Sequence, residues 1–463
     1  MTPSNVKVFE CNEYIVIFNG QDMTLRLLPL QQYRVSAYDI FDYIQCVEEQ
    51  SCLLGNVQEN LSDVFPCHTV TSQTRNSLPK HDQRPTLQRL TLNVSNTCNM
   101  ACKYCYANGG TYYTSGKLMN KNTALNAINF VSRNFSRIEH VNFFGGEPTM
   151  NQSIIELICE YFIYLHTRGI LSYLPHFGLT TNGYAISAHM FEILQRCNFS
   201  VSVSLDGPKE IHDRLRVSSN GSPTYDAIEK NIKKLIDMGI VPEFECTYTG
   251  EHWQRGIDLV ALMDFFYDNF QCHTLHCPLV IANPNSPWFI PLGTATKLYA
   301  DAIRYSIRNL AREVPNSISV ATRFLNSLTA KTPIWQYCPA GKSSLTINAD
   351  GNIYACFMLM RGTGYCLGNV NGEDHGFGRP DSIGVLLEDA NKWQNPACCD
   401  CWAQSLCFGC LGEDLVREGQ VVQRSVIPGQ SGSCDFKRKL VEVFLMSVVE
   451  IYLDSVEKLG VNL

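Results

Sequence analysis

The run Cys98-Asn99-Met100-Ala101-Cys102-Lys103-Tyr104-Cys105 constrains this chain more than any other feature. Cysteines spaced C-x3-C-x2-C supply three thiolates to an iron–sulfur cube that has four irons. One iron is then left without a protein ligand and can take a small molecule, whereas a cluster used only for electron transfer is normally closed by four cysteines. Zinc is the competing occupant, but zinc usually takes four ligands and no fourth lies nearby.

Composition narrows the setting. At 463 residues, more than one domain is expected. A hydrophobic share of 45%, a charged share of 17% and a net charge of −7 are those of a soluble globular protein with no general attraction to nucleic acid or anionic membrane. Residues 1–10 lack the basic start and apolar core of a signal peptide. The apolar stretch 441–453 contains Glu442 and Glu450, is too short to span a bilayer, and reads as an amphipathic packing helix. The 21 cysteines cluster in a long chain with no export signal, so metal ligation in a reducing cytoplasm is the expectation. Exposed iron–sulfur clusters would also require protection from oxygen.

Three regions and a terminal helix follow from the pattern. Residues 1–85 start with a hairpin (14–18, an Asn19-Gly20 turn, 23–28), then a helix-like stretch at 37–47 and a polar linker at 71–85. Residues 86–330 alternate strand candidates (89–94, 140–144, 177–181, 200–205, 243–248, 274–280) with helix candidates (121–134, 153–166, 225–238, 256–270). Such alternation implies an α/β fold with a parallel sheet or barrel and helices outside. Residues 331–437 lose the alternation and are rich in cysteine, glycine and aromatics, which predicts folding around metal. Residues 438–463 form the C-terminal helix.

The triplet follows the first strand, where parallel barrels place their active sites. Together with Gly145-Gly146-Glu147-Pro148 after the second strand, Thr180-Thr181-Asn182-Gly183 after the third and Ser204-Leu205-Asp206-Gly207-Pro208 after the fourth, it resembles the radical S-adenosylmethionine (SAM) enzymes. The resemblance implies a partial (β/α)6 TIM-type barrel. It also implies roles around SAM: Tyr104 beside the adenine, Gly145, Gly146 and Glu147 at the methionine amino group, Asn182 and Ser204 near the ribose and methionine, and Arg216 at the carboxylate. Cys98, Cys102 and Cys105 would hold the SAM-binding [4Fe-4S] cluster. Its open iron would chelate SAM, whose reductive cleavage yields a 5′-deoxyadenosyl radical that abstracts hydrogen. A surface salt bridge is the alternative for Arg216 and simple loop packing for Tyr104. No catalytic base can be named.

Cys338, Cys356, Cys398, Cys401, Cys407, Cys410 and Cys434 resemble the SPASM extension, which carries two auxiliary [4Fe-4S] clusters on seven cysteines. Two residues separate Cys407 from Cys410 where the usual pattern has three, which makes Cys410 the least secure ligand. The family's interleaved ligation implies Cys338, Cys356 and Cys410 for the first cluster, open unless Cys366 closes it. Cys398, Cys401, Cys407 and Cys434 would hold the second, with Cys399 a substitute whose side chain should point elsewhere. A zinc ribbon over 398–410 is the alternative. The remaining cysteines, Cys46, Cys159 and Cys272 among them, read as small buried hydrophobes.

The resemblance implies maturation of a ribosomally made precursor peptide, with a thioether, carbon–carbon or ether cross-link as the expected product class. Flavodoxin or ferredoxin is the expected reductant, and residues 1–85 are a candidate peptide-docking domain. The alternatives are an anaerobic sulfatase-maturing, formylglycine-generating enzyme and a non-enzymatic iron–sulfur carrier.

Overall fold

The computed structural model describes residues 5–11, 14–29, 55–56, 84–114, 116–361, 363–372, 391–411 and 432–459. An antiparallel sheet comes first: β1 (Val6–Cys11), β2 (Tyr14–Asn19), β3 (Thr24–Pro29) and β4 (Gly55–Asn56), paired in that order. β2 and β3 are the expected hairpin, but Asn19 pairs with Thr24, so the turn is four residues long rather than an Asn-Gly dipeptide. Side chains reverse the chain there: Asn19 Oδ1 accepts from Gln21 N at 3.0 Å and Asp22 Oδ1 from Thr24 N at 2.9 Å. The expected helix at 37–47, Cys46 within it, and most of the linker at 71–85 lie outside the described residues.

The centre is built from strand–helix units. β5 (Thr86–Ser95), β6 (Arg137–Gly145), β7 (His176–Thr181), β8 (Ser200–Ser204) and β9 (Glu243–Glu245) run parallel, each paired with the next. α1 (Lys121–Asn134), α2 (Gln152–Thr167), α3 (Ala188–Arg196), α4 (Lys209–Leu215) and α5 (Tyr225–Asp237) lie between them in sequence. α1 has the limits its periodicity predicts because Asn120 caps it, accepting from Thr123 N at 2.9 Å. After α6 (Gly250–Gln254), α7 (Leu259–Phe270) starts later than expected, where Asp258 caps Ala261 N at 2.8 Å.

The strand expected at 274–280 is strand only over β10 (Thr274–Leu275), which pairs with β11 (Ser317–Ile318) after α8 (Leu292–Ala311). Beyond it, His276 and Leu279 make isolated parallel bridges to Glu245 and Tyr248. Pro278 between them has no N–H to donate, so the ladder is interrupted there, although Val280 N still donates to Tyr248 O at 2.9 Å. α9 (Ser319–Thr329) then leads to β12 (Ser344–Ile347), which joins β5 in parallel. β13 (Asn352–Tyr354) and β14 (Cys366–Asn369) follow antiparallel, giving the order β14-β13-β12-β5-β6-β7-β8-β9. The architecture is thus α/β around a parallel sheet, and that sheet continues into the cysteine-rich segment. α10 (Pro396–Cys399) and α11 (Gly432–Leu459) complete the described elements.

The two faces of the sheet differ in chemistry. Leu90, Leu92, Val141, Phe143, Phe177, Leu179, Val201, Val203 and Phe244 point one way and are buried, the Phe244 ring lying tilted 5.1 Å from Phe266 of α7. Side chains in the alternate register are polar: Thr91 beside Asn142, Thr180 beside Ser202, Ser204 beside Glu245. A packed barrel interior is filled with branched aliphatics. This face is instead half-buried and hydrophilic, as a substrate chamber requires. α11 is not amphipathic as expected: Leu440, Val441, Phe444, Leu445, Val448 and Val449 bury most of its circumference against α8, α9 and β1. A helix covered on several sides needs no polar face.

Candidate functional site

The triplet occupies the loop at the C-terminal end of β5, and its three thiols are half-buried. Cys98 Sγ receives two N–H groups, from Met100 N at 3.4 Å and Asn182 Nδ2 at 3.7 Å. Such donors suit a thiolate better than a thiol. Burial, with Glu147 and the other two thiols, pushes Cys98 up to about 12. Burial likewise raises Cys102 to about 11, opposed by the Arg216 guanidinium. Burial opposes charge on these thiols while the N–H donors and Arg216 favour it, a balance that fits ligation of a positively charged inorganic centre. Among the described residues, no three His, Cys, Asp or Glu side chains converge on a single-ion site. The thiolates of a cube sit on separate irons and need no such convergence.

The glycines and Glu147 turn out to fasten loops together. A Cβ on Gly145 would lie 2.2 Å from Ser95 O, and one on Gly146 2.1 Å from Thr97 O. Gly146 N donates to Ser95 O at 2.7 Å and Glu147 N to Thr97 O at 2.8 Å, so the two loops zip backbone to backbone. Gly110 closes on the same point, its Cβ position 2.5 Å from Gly146 Cα. Only residues without a side chain permit this approach.

Glu147 is 0% exposed. Its Oε1 accepts from Thr149 N (3.1 Å), Thr149 Oγ1 (2.7 Å) and Thr181 Oγ1 (2.6 Å), and its Oε2 from Asn182 N (2.7 Å). Burial raises its carboxyl despite these four donors. Asn182, held by Glu147, reaches both Cys98 Sγ and Asn99 Oδ1 (2.8 Å). The carboxylate expected at an ammonium group thus ties β6, β7 and the triplet loop into one unit.

Tyr104 and Arg216 meet at a residue the motif reading passed over. Tyr104 Oη donates to Asp206 Oδ2 at 2.5 Å, Arg216 Nε lies 3.0 Å from the same oxygen, and the guanidinium sits 5.4 Å from the Tyr104 ring centre. The Arg216–Asp206 contact is an ion pair rather than a hydrogen bond, since Nε is poorly aligned. Asp206 is 0% exposed, so the pair is buried, not a surface bridge. Burial pushes its carboxyl up, but Arg216, His212 and His252 together hold it below the usual range. Thr247 N donates to its Oδ1 at 3.1 Å. His212 Nδ1 accepts from Asp206 N at 3.2 Å, and burial lowers His212 to about 4. Asp206 was legible as part of the fourth rim motif; its partners were not. Ser204 lies half-buried on the polar face.

Tyr112, also outside the motifs, is buried and donates to Gly145 O at 3.1 Å. Tyr106, next to Cys105, packs edge-on to Tyr112 at 6.1 Å and tilted to Phe357 at 6.3 Å. Phe357 follows Cys356 and lies 4.5 Å from Phe144. Residues flanking one thiol of each cysteine field therefore touch.

In the second field, burial and then the thiols of Cys407, Cys401 and Cys434 push Cys398 up to about 12. Cys407 is raised by burial, against the opposing charges of Lys392 and Lys437. These four cysteines are mutual neighbours. Burial raises Cys356 to about 12 with Cys338 as the contributing thiol. Cys410 is half-buried in the loop after α10, and Cys366 Sγ donates to Gly368 O at 3.2 Å. Cys399 Sγ points away, to Trp393 O at 3.2 Å. Trp402, beside Cys401, sits edge-on to Phe9 at 6.3 Å and Phe18 at 6.5 Å, so the N-terminal sheet packs on this field. Cys159 and Cys272 are buried as expected.

The model of the Radical SAM superfamily matches residues 92–250. An uncharacterised protein of Methanocaldococcus jannaschii is 27% identical over 302 residues, 62% of this chain and 89% of that one. The radical SAM cyclopropyl synthase TigE of Paramaledivibacter caminithermalis is 30% identical over 32% of each chain. A cysteine-type anaerobic sulfatase-maturating enzyme of Clostridium novyi is 32% identical over 31% of this chain and 38% of its own. The chain thus spans about a third of the last two. In fold, it resembles anSMEcpe with bound AdoMet (TM-score 0.65, 18% identity, 80% of this chain and 100% of that one). It also resembles Streptococcus suis SuiB (TM-score 0.50, 14% identity, 91% and 98%). No helix among the described residues is long and apolar enough to cross a membrane. Residues 92–250 thus match a radical SAM domain, a domain of enzymes whose family implies a [4Fe-4S] cluster and SAM.

Proposed function

We propose that this protein is a peptide maturase that modifies a ribosomally made precursor, installing a thioether, carbon–carbon or ether cross-link. The observation that carries this reading is the shared sheet. β12–β14 extend from the β5 edge, Cys356 follows β13, Cys366 opens β14, and Phe357 lies against Tyr106 beside the triplet, which supports a second centre next to the first. Two inorganic centres on one chamber suit a substrate that is oxidised and must return an electron.

Cys98, Cys102 and Cys105 would hold the SAM-binding cluster. Cys338, Cys356 and Cys410 would hold one auxiliary cluster, with Cys366 available to close it, and Cys398, Cys401, Cys407 and Cys434 the other. Bound there, the reduced cluster and SAM supply a 5′-deoxyadenosyl radical for hydrogen abstraction. The chain's own part is orientation. Asn182 braces Cys98, Asp206 and Arg216 set the charge beside Cys102, and Tyr106 with Phe357 walls the chamber. Tyr104, Gly145, Gly146, Glu147, Asn182, Ser204 and Arg216 would line the SAM position. β1 has one strand partner among the described residues, which leaves an edge to which a leader peptide can add. A flavodoxin or ferredoxin in the cytoplasm would supply the electron.

Mass spectrometry of a small neighbouring peptide co-expressed with the enzyme tests this: a cross-link removes two hydrogens. A peptide unchanged in mass, together with 5′-deoxyadenosine formation that no peptide stimulates, sinks the proposal. The second reading, sulfatase maturation, is favoured by the 32% identity to the Clostridium novyi enzyme. Turnover of a sulfatase motif peptide to formylglycine would establish it instead.

A further inference from the structure

Lys392 is 1% exposed, and its ammonium has only neutral partners. Its Nζ donates to Gln404 O at 2.6 Å and to Cys407 O at 2.6 Å, while Gln404 Nε2 returns a bond to Lys392 O at 2.7 Å. Among the described residues, no carboxylate pairs with it. A buried ammonium without a counter-charge costs several kcal/mol, so chains rarely retain one unless an anion completes the site. The ionisable groups acting on Lys392 are the thiols of Cys407, Cys398 and Cys401 together with the Arg323 guanidinium, a second positive charge. As thiols they are neutral and leave the charge uncompensated. As four thiolates around an iron–sulfur group, together with Cys434, they form the missing anion. Lys437 and Arg438, in the first turns of α11, face the same set, but each has its own partner, Tyr337 and Asp435. Of these cations Lys392 is the most deeply buried, and among the described residues it has no carboxylate partner.

We propose that Lys392 is the counter-charge of the site formed by Cys398, Cys401, Cys407 and Cys434, a positioning residue that stabilises the more negative, reduced state of a cluster held there. This rests on the auxiliary-cluster reading above. A fixed positive charge within a few ångströms favours added negative charge, so Lys392 makes this cluster easier to reduce than a neutral residue would. The residue touches no substrate. Its effect is on where an electron leaving the substrate comes to rest.

The test uses the full chain reconstituted with iron and sulfide, in four forms: wild type, Lys392→Gln, Lys392→Arg and Cys401→Ala. Iron per chain and an EPR-monitored redox titration are read for each. Lys392→Gln keeps a donor for the two carbonyls but removes the charge; Lys392→Arg keeps the charge. One auxiliary midpoint is expected to fall in Lys392→Gln and to stay near wild type in Lys392→Arg, with the SAM-binding cluster unmoved. Loss of about a third of the iron in Lys392→Gln but not in Lys392→Arg also supports the charge role. An unchanged midpoint at full iron content in Lys392→Gln overturns the proposal, as does equal iron loss in both Lys392 variants. If Lys392→Gln does not accumulate, Lys392→Met is read in its place. Full iron content in Cys401→Ala overturns the auxiliary-cluster reading itself, so the two failures are distinguishable.

Discussion

The triplet loop and the second cysteine field present the same kind of ligand on opposite kinds of scaffold. Around Cys98, the protein supplies the order: glycine backbones interlock, the Glu147 carboxylate joins its own loop to the end of β7 through four hydrogen bonds, and its N–H holds the triplet loop at Thr97 O. The site is braced before any metal arrives. Around Cys398 the described regular structure is one short helix, α10, and the start of α11, held by loop bonds and by a lysine with no carboxylate partner among the described residues. Under the auxiliary-cluster reading proposed above, that site would need its metal to be complete. The difference suits the two tasks: an iron that exchanges a small ligand needs a rigid surround, whereas a cluster closed by four thiolates can help to build its own.

Replacing Cys98, Cys102 and Cys105 together with alanine should give the largest effect. Iron should fall by about a third and 5′-deoxyadenosine should vanish, while the unfolding midpoint changes little because the brace is protein. A large loss of stability would break the contrast. Cys401→Ala should do the reverse, lowering stability and peptide product while leaving some uncoupled 5′-deoxyadenosine, read by denaturant titration and chromatography.

Gly146→Ala places a Cβ 2.1 Å from Thr97 O, and should cost about 1–3 kcal/mol with reduced iron at the triplet. Glu147→Gln turns an acceptor into a donor facing donors, and should cost about 1–3 kcal/mol in urea unfolding. The smallest effect is on pH. His212 is held neutral, lowered to about 4 from 6.5. The unfolded chain therefore binds the extra proton between those values, and stability is lost as pH falls through that window. His212→Gln should flatten this slope without changing stability above pH 7.

Much of the framework was legible because it is local. α1 ends where its cap and periodicity say, the triplet's spacing places it on a loop after a strand, and alternation implied the parallel sheet. The α11 misreading has the opposite cause: how much of a helix is covered depends on neighbours distant in sequence. The truncated β10 could have been anticipated from Pro278, which denies the ladder a donor.

Residue type and spacing by themselves determined that the triplet Cys98, Cys102 and Cys105 sits in one short loop after a strand, since that placement is a property of short-range geometry. Only the tertiary structure decided what the other motif residues do. Tyr104 and Asp206 are 102 positions apart, and Glu147 meets Asn182 across 35. Those pairings depend on strand order and register, which bring together loops that no local signal connects. The same holds for Lys392. Its charge is written in the sequence, but that it is buried, without a carboxylate partner among the described residues and close to the thiols of Cys407, Cys398 and Cys401 is a fact of packing.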